Sequence, residues 1–275
     1  MMYDGHFILV NGSFVSAAEC RISIQEYEGL LFAEKIRSVR TTFPFFRATL
    51  EMIKLKLIIF HQSFPDLLEN EGAELKRQME RTLTKNKHFL GAVISVRFWV
   101  FDQKLQYSIQ SAKTDHTSYE LNNKGLYISI SRDIWKSVSS LSNCSLGSEI
   151  YWSIARISKD PGTDEIVLLN DEDQIIEVPR SNIYMVKNGI IKGASVHQGA
   201  YADITKPLLL KIFATLKISY DETEPMTEND LNEADEIFLA NALDGIRWVI
   251  GFEGKRYFNQ TTRKINNLFV KSLIS

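Results

Sequence analysis

The sequence predicts an α+β protein in two domains, a small N-terminal α+β domain over residues 1–118 and a larger domain over 119–275. Three observations lead there. Strand and hairpin patterns come first, followed by two helical patterns and two long strands. A polar stretch from Lys113 to Gly125 then interrupts the apolar periodicity, and short strands and helices intermix from there to the C-terminus. At 275 residues the chain suits one large core or two modest ones.

Phe7 to Val10 and Ser13 to Val15 flank Asn11-Gly12, two residues that accept positive φ, and so form a two-residue hairpin. Arg21-Ile22-Ser23-Ile24 alternates as a further strand. Apolar residues at 46, 50, 53, 57 and 60 recur at helical spacing and predict a helix from Phe45 to Phe60 that packs on this sheet. Pro65 opens a second helix through Leu83, rich in Glu and Lys on its outer face. Ala92 to Phe101 and Leu105 to Ala112 are long strands joined by the polar turn Asp102-Gln103-Lys104.

Beyond the polar stretch, Leu126 to Ser131 reads as a strand, and the serine-rich loop Ser137 to Ser145 leads to a helix from Ser148 to Lys159. Pro161-Gly162-Thr163-Asp164 turns the chain into a short buried strand, Glu165 to Leu169. Gln174-Ile175-Ile176 is an apolar strand ending at Glu177; Ser181-Asn182 opens the next, and Asn188-Gly189 turns it back. Ile204 to Leu216 has one apolar face, at 204, 208, 209, 212, 213 and 216. Thr227 and Asp230 have the spacing of a capping box over a short helix to Ala234. Ile237 to Leu239 and Trp248 to Ile250 are strands, and a last helix starts near Gln260.

Composition excludes several classes. Hydrophobic residues are 44% and charged residues 24%, as in ordinary globular proteins, and the net charge of −2 comes without a lysine-arginine block. Capture of nucleic acid or of an anionic membrane is therefore not expected. The first residues lack the basic and apolar runs of a secretory signal, and the greasiest stretch, Leu55 to Phe60, is too short to span a bilayer. Two cysteines, Cys20 and Cys144, make neither a disulfide framework nor a metal site, so the expected compartment is the reducing cytoplasm. The five histidines, His6, His61, His88, His116 and His197, are scattered without metal-ligand spacing, and no metal is expected. Trp135, Trp152 and Trp248 read as core or interface aromatics, since no basic groove accompanies them.

The most informative segment is Glu177-Val178-Pro179-Arg180-Ser181-Asn182-Ile183-Tyr184-Met185-Val186. A carboxylate at a strand end can pair with the protonated ring nitrogen of a pyridine cofactor; it can equally be an ordinary strand-edge glutamate. The residues around it decide what to expect. Asp164 to Asn170, Glu177 to Val186, Gly199-Ala200-Tyr201-Ala202-Asp203-Ile204-Thr205-Lys206, Leu231 to Phe238 and Asn241 to Ile246 follow in order over about ninety residues. This series resembles the class IV pyridoxal-phosphate enzymes, which include branched-chain aminotransferase, D-amino acid aminotransferase and aminodeoxychorismate lyase. The resemblance runs from about Asn11 to Phe252, weakly at first and clearly after Ala155.

That resemblance implies the two-domain D-amino acid aminotransferase-like fold, a small α/β sandwich plus a larger β-barrel-like domain with helices, and a homodimer. It implies pyridoxal phosphate as cofactor, with an amino acid, keto acid or phosphate compound as small-molecule ligand. Glu177 would keep the pyridine nitrogen protonated, beside Ser181 and Asn182. The backbone and hydroxyl of Ile204-Thr205 would hold the cofactor phosphate at a helix start, and Asn241-Ala242 would add a backbone contact.

The sequence departs from the family at decisive positions. The Schiff-base lysine falls on Ser145, or on Cys144 after a one-residue shift, and no lysine lies between Lys136 and Lys159. The family's His-x-x-Arg-Leu falls near Arg47-Ala48-Thr49-Leu50-Glu51, where Arg47 is the nearest substitute. Tyr-Gly-Asp-Gly-x-Phe-Glu survives as traces at Tyr27, Gly29, Phe32 and Glu34. Lys206 stands at the arginine that follows Ile-Thr in the family's Gly-x-x-x-Gly-Ile-Thr-Arg, to which Gly199 to Lys206 is similar. Lys136 and Lys192 are candidate substitute amines from other directions, each more readily read as a solvated loop lysine. The expected function is thus a degenerate or altered-activity homologue with a phosphate- or pyridoxal-type cleft, binding any cofactor non-covalently. An active enzyme with another lysine, and a non-catalytic structural homodimer, stay open beside it.

Overall fold

Residues 4–21 and 28–274 are described by the structure, a computed structural model. The chain divides into two compact units, Met1–Ser118 and Tyr119–Ser275.

In the first unit, five antiparallel strands form one sheet in the order β2-β1-β5-β4-β3: β1 (Phe7–Val10), β2 (Ser13–Ser16), β3 (Leu30–Val39), β4 (Gly91–Phe101) and β5 (Lys104–Lys113). The β1–β2 turn places Asn11 at φ 47° and Gly12 at φ 86°, as the dipeptide predicts. Helix α1 (Phe46–Ile59) buries Leu50, Ile53 and Leu57. Helix α2 (Ala73–Asn86) buries Leu75, Met79 and Leu83.

Two expectations change. The second helix does not run from Pro65: two 3-10 turns, Asp66–Leu68 and Asn70–Gly72, precede α2. Left-handed φ angles at Asn70 (48°), Glu71 (57°) and Gly72 (73°) break any α-helix there. The ten-residue strand β3 was not predicted at all, although the family traces Phe32 and Glu34 lie on it and Gly29 just before it. A Cβ on Gly29 would stand 2.1 Å from the Val100 carbonyl oxygen, so the glycine lets the two backbones approach. Glu34 pairs with the buried ammonium of Lys56 on α1. Tyr27 and residues 22–24 of the expected Arg21–Ile24 strand lie outside the described residues.

The second unit is built on a larger sheet: β6 (Leu126–Lys136), β7 (Glu165–Asn170), β8 (Ile175–Val178), β9 (Ser181–Lys187), β10 (Ile190–Gly193), β11 (Ser219–Asp221), β12 (Glu236–Asn241), β13 (Gly245–Phe252) and β14 (Lys255–Arg256). The order is β11-β10-β9-β12-β13-β6-β7-β8, and a further pairing of β8 with β9 closes β9, β12, β13, β6, β7 and β8 into a barrel. Closure leaves those six strands without a free edge. Strand β6 runs parallel to both β13 and β7, while the other barrel pairs are antiparallel. Ile128, Val167, Ile176, Ile183, Met185, Leu239 and Val249 belong to the core of this unit. The fold is the α+β arrangement of a small sheet domain and a larger barrel-like domain that the sequence predicts.

The helices of this unit are α3 (Ser145–Ile157), α4 (Lys206–Thr215), α5 (Glu228–Glu233) and α6 (Gln260–Ile274). Thr227 and Asp230 do form a reciprocal capping box on α5. Two boundaries shift in ways that matter for the site. Strand β6 continues five residues past Ser131 to Lys136, through a register shift between Ile130 and Trp135. Helix α3 starts at Ser145, three residues before the expected Ser148.

Candidate functional site

Glu177 lies in β8, paired to Leu168 on β7 and Asn182 on β9, and its side chain is wholly buried. Three hydrogen bonds converge on it. Lys136 Nζ donates to Oε1 at 2.8 Å, the Trp152 indole Nε1–H donates to the same oxygen at 2.6 Å, and the Tyr201 backbone N–H donates to Oε2 at 2.5 Å. It is therefore not a strand-edge glutamate. Each donor comes from a different element: the end of β6, the middle of α3, and the loop ahead of α4.

Lys136 is the largest correction to the sequence reading. It is not a solvated loop lysine, because both its side chain and that of Glu177 are 0% exposed. Burial holds the Glu177 carboxyl above the usual carboxylate range, against the opposing pull of Lys136 and the N–H donors. Burial likewise holds the Lys136 amine below the usual lysine range, against the pull of Glu177. Each charge is thus tolerated through the other. No alternation announces this: Ile128 and Ile130 are buried and Ile134 packs on the same core, but Arg132 between them is exposed and the β6 register shifts after Ile130, so an inward face cannot be counted through to Lys136.

The loop that ends at α4 is tied to this pair. The Tyr201 ring packs edge-on to Trp152, with centroids 5.1 Å apart at 90°. Asn182 Nδ2 donates to the Tyr201 carbonyl at 2.7 Å, so β9 and β8 grip the two sides of the same residue. Two residues further on, Asp203 is 6% exposed and Thr205 fully buried. Asp203 Oδ1 accepts from the Thr205 backbone N–H at 2.8 Å and from its hydroxyl at 2.5 Å. Thr205 is the residue immediately before α4, and Ile204 beside it is half-buried. The Lys206 ammonium pairs with Glu222, which also accepts the Tyr220 hydroxyl at 2.9 Å.

Ser181, Asn241 and Ala242 serve the barrel strands and their turn. Ser181 Oγ, fully buried, accepts from Asn241 Nδ2 at 2.6 Å. Asn241 Oδ1 accepts the N–H groups of Leu243 and Asp244 at 2.8 and 2.7 Å, which closes the β12–β13 turn, and the Ala242 carbonyl accepts the Tyr119 hydroxyl at 2.7 Å. Ser145 is the first residue of α3, next to Cys144, whose thiol donates to the Leu141 carbonyl at 3.3 Å. Arg47 is exposed on α1 of the first unit. Lys192 is half-buried, 3.7 Å from Asp230, and His197 is exposed.

These residues do not fit a pyridoxal-type cofactor in this arrangement. The carboxylate that would face the ring nitrogen already holds an ammonium and two N–H donors, with no exposed surface. The Thr205 donors that would face the phosphate already hold a carboxylate.

A family model described as amino-transferase class IV matches residues 60–250. Among curated relatives, a Methanocaldococcus jannaschii protein named as a putative branched-chain-amino-acid aminotransferase is 32% identical over 112 residues, covering 39% of this chain and 38% of its own length. A Synechocystis protein with the same kind of name is 33% identical over 81 residues, covering 30% of this chain and 26% of its own length. The matched stretches thus span about two fifths or less of those relatives. Solved structures match over nearly the whole chain. The branched-chain aminotransferase of Thermoproteus uzoniensis, solved with norvaline, has a TM-score of 0.79 at 19% identity, covering 98% of this chain and 95% of its own. That of Escherichia coli has a TM-score of 0.80 at 19% identity, covering 97% and 93%. A putative branched-chain aminotransferase of Thermotoga maritima has a TM-score of 0.80 at 19% identity, covering 98% and 96%. At such identities the likeness is one of fold.

Proposed function

We propose, from the premise that this chain belongs to the amino-transferase class IV family, that it is a degenerate member which does not transfer amino groups. One observation carries the reading: the lysine beside Glu177 is bound to that carboxylate, 2.8 Å away and sealed from solvent. Transfer of an amino group through pyridoxal phosphate needs an amine that is free to hold the aldehyde and then to move a proton. The hydroxyl of Ser145, at the family's lysine position, does neither well at neutral pH. Lys136 does not replace it. The ring nitrogen and the aldehyde lie on opposite sides of a pyridine ring, so one amine fixed at Glu177 does not serve the other side.

A second reading has one observation in its favour. Burial holds the Lys136 amine below the usual lysine range, which is how a lysine becomes a nucleophile at neutral pH. In that reading Lys136 leaves Glu177 and acts as the substitute amine. The ligands to try are those of the resemblance: amino acids, keto acids and small phosphate compounds. The resemblance also supports a homodimer, and the free thiols Cys20 and Cys144 suit a reducing compartment such as the cytoplasm.

The test is an amino-transfer assay on the whole chain with added pyridoxal phosphate. It would use a panel of amino acids and keto-acid acceptors, with a branched-chain aminotransferase run in parallel. The expected result is no turnover above buffer. Turnover that disappears in a folded Lys136→Met variant would overturn the proposal in favour of the second reading.

A further inference from the structure

We infer that the chain fills its own cofactor position, with the Lys136 ammonium in place of the pyridinium at Glu177 and the Asp203 carboxylate in place of the phosphate at Thr205. This deepens the reading above and rests on it. The two substitutions are opposite in charge, and each matches the pole it replaces. Glu177 needs a cationic N–H partner, and Lys136 Nζ supplies one at 2.8 Å. The N–H and hydroxyl of Thr205 need an anionic oxygen, and Asp203 Oδ1 supplies one at 2.8 and 2.5 Å. Asp203 stands where the family pattern has glycine, so the carboxylate is an addition at a position that otherwise has no side chain to offer.

The ordinary account of Asp203 is that of a carboxylate near the start of α4, where the helix dipole favours negative charge. That account is correct as far as it goes, and it is the reason a phosphate would sit there too. What it leaves unexplained is the coincidence along one loop. Tyr201 donates to Glu177, and Asp203, two residues later, takes both Thr205 donors. A single short loop therefore runs from one internal ion pair to one internal anion cap. An empty site of this kind would leave a buried carboxylate without a cation, which desolvation disfavours. Here both poles are satisfied by side chains of the second unit itself.

The probe is pyridoxine 5'-phosphate, which has the ring nitrogen and the phosphate but no aldehyde, so that binding is read without covalent chemistry. Calorimetric titration and thermal shift would compare wild type, Asp203→Gly and Asp203→Gly/Lys136→Met. Wild type should show no saturable binding. Asp203→Gly should bind at least about 10-fold tighter than wild type, the worth of freeing one set of charge-assisted hydrogen bonds. The double variant should gain further, with an upward thermal shift on adding the probe. If Lys136→Met does not fold, Asp203→Gly alone decides the question. Wild type binding as tightly as Asp203→Gly, or a folded Asp203→Gly without any gain, would overturn the inference. The amino-transfer assay stays separate: turnover by wild type defeats the proposed function, whereas absent turnover with no gain in Asp203→Gly defeats only the self-filled site.

Discussion

Lys136 Nζ lies 2.8 Å from Glu177 Oε1, and neither side chain has any exposed surface. A pair of this kind is strongly asymmetric in its energetics. Removing the cation alone leaves a buried carboxylate with only neutral donors. Lys136→Met is therefore expected to destabilise the protein by about 3–5 kcal/mol. The double variant Lys136→Met/Glu177→Leu should recover most of that loss, because no charge is then left buried. Denaturant unfolding of the four proteins in the cycle checks it. Losses that simply add would show that the pair does not act as a unit.

Trp152 supplies the other donor to Glu177 Oε1, at 2.6 Å from a side chain that is 1% exposed. Trp152→Phe keeps a flat ring in α3 and removes the N–H. The expected loss is about 1–3 kcal/mol, the cost of leaving a buried polar group short of a partner. Chemical denaturation followed by circular dichroism measures it. A variant as stable as wild type would mean that Lys136 and Tyr201 satisfy the carboxylate without the indole.

A lysine introduced at position 145 should not by itself give a pyridoxal-phosphate adduct. Ser145→Lys places an amine at the start of α3, but Lys136 and Asp203 still hold the two poles. After incubation with pyridoxal phosphate and borohydride, mass spectrometry should find no site-specific adduct at position 145 in this variant. Ser145→Lys/Asp203→Gly should acquire one. An adduct at that position in the single variant would show that Asp203 and Lys136 yield to the cofactor.

His88 gives the first unit a pH dependence. It is 3% exposed, with Nε2 3.6 Å from Asp4 Oδ1. Burial lowers its pKa below the ordinary 6.5; Asp4 opposes the shift, while Lys113 and His6 reinforce it. As pH falls below 6.5 the unfolded chain therefore takes the proton first. The stability from a neutral His88 is full above that pH and is lost as pH falls towards the folded pKa. His88→Gln should flatten the fall in melting temperature between about pH 6.5 and 5 relative to wild type. Parallel curves for the two proteins would rule this out.

Much of the fold was legible because its signals are local. Asn11-Gly12 and Asn188-Gly189 carry their own turn geometry, with Asn188 at φ 51° and Gly189 at φ 77°. Thr227 and Asp230 satisfy each other within one turn of helix. Strand β3 escaped because its order comes from pairing with β4, about sixty residues away in sequence. The 3-10 turns before α2 escaped because Glu71, between Asn70 and Gly72, is a residue type that rarely adopts left-handed backbone, so the stretch read as continuous helix.

The sequence by itself determined the family, through five ordered segments, and the identity of the residue at position 145, which no fold can change. It also carried Glu177 and Thr205 in readable positions. Only the tertiary structure decided what those residues do. Lys136 and Glu177 are 41 residues apart. The pairing of β6 with β7, and of β7 with β8, brings the end of β6 and the carboxylate of β8 into one buried space. Whether a lysine is solvated or sealed depends on what surrounds it, and a linear pattern records spacing rather than surroundings.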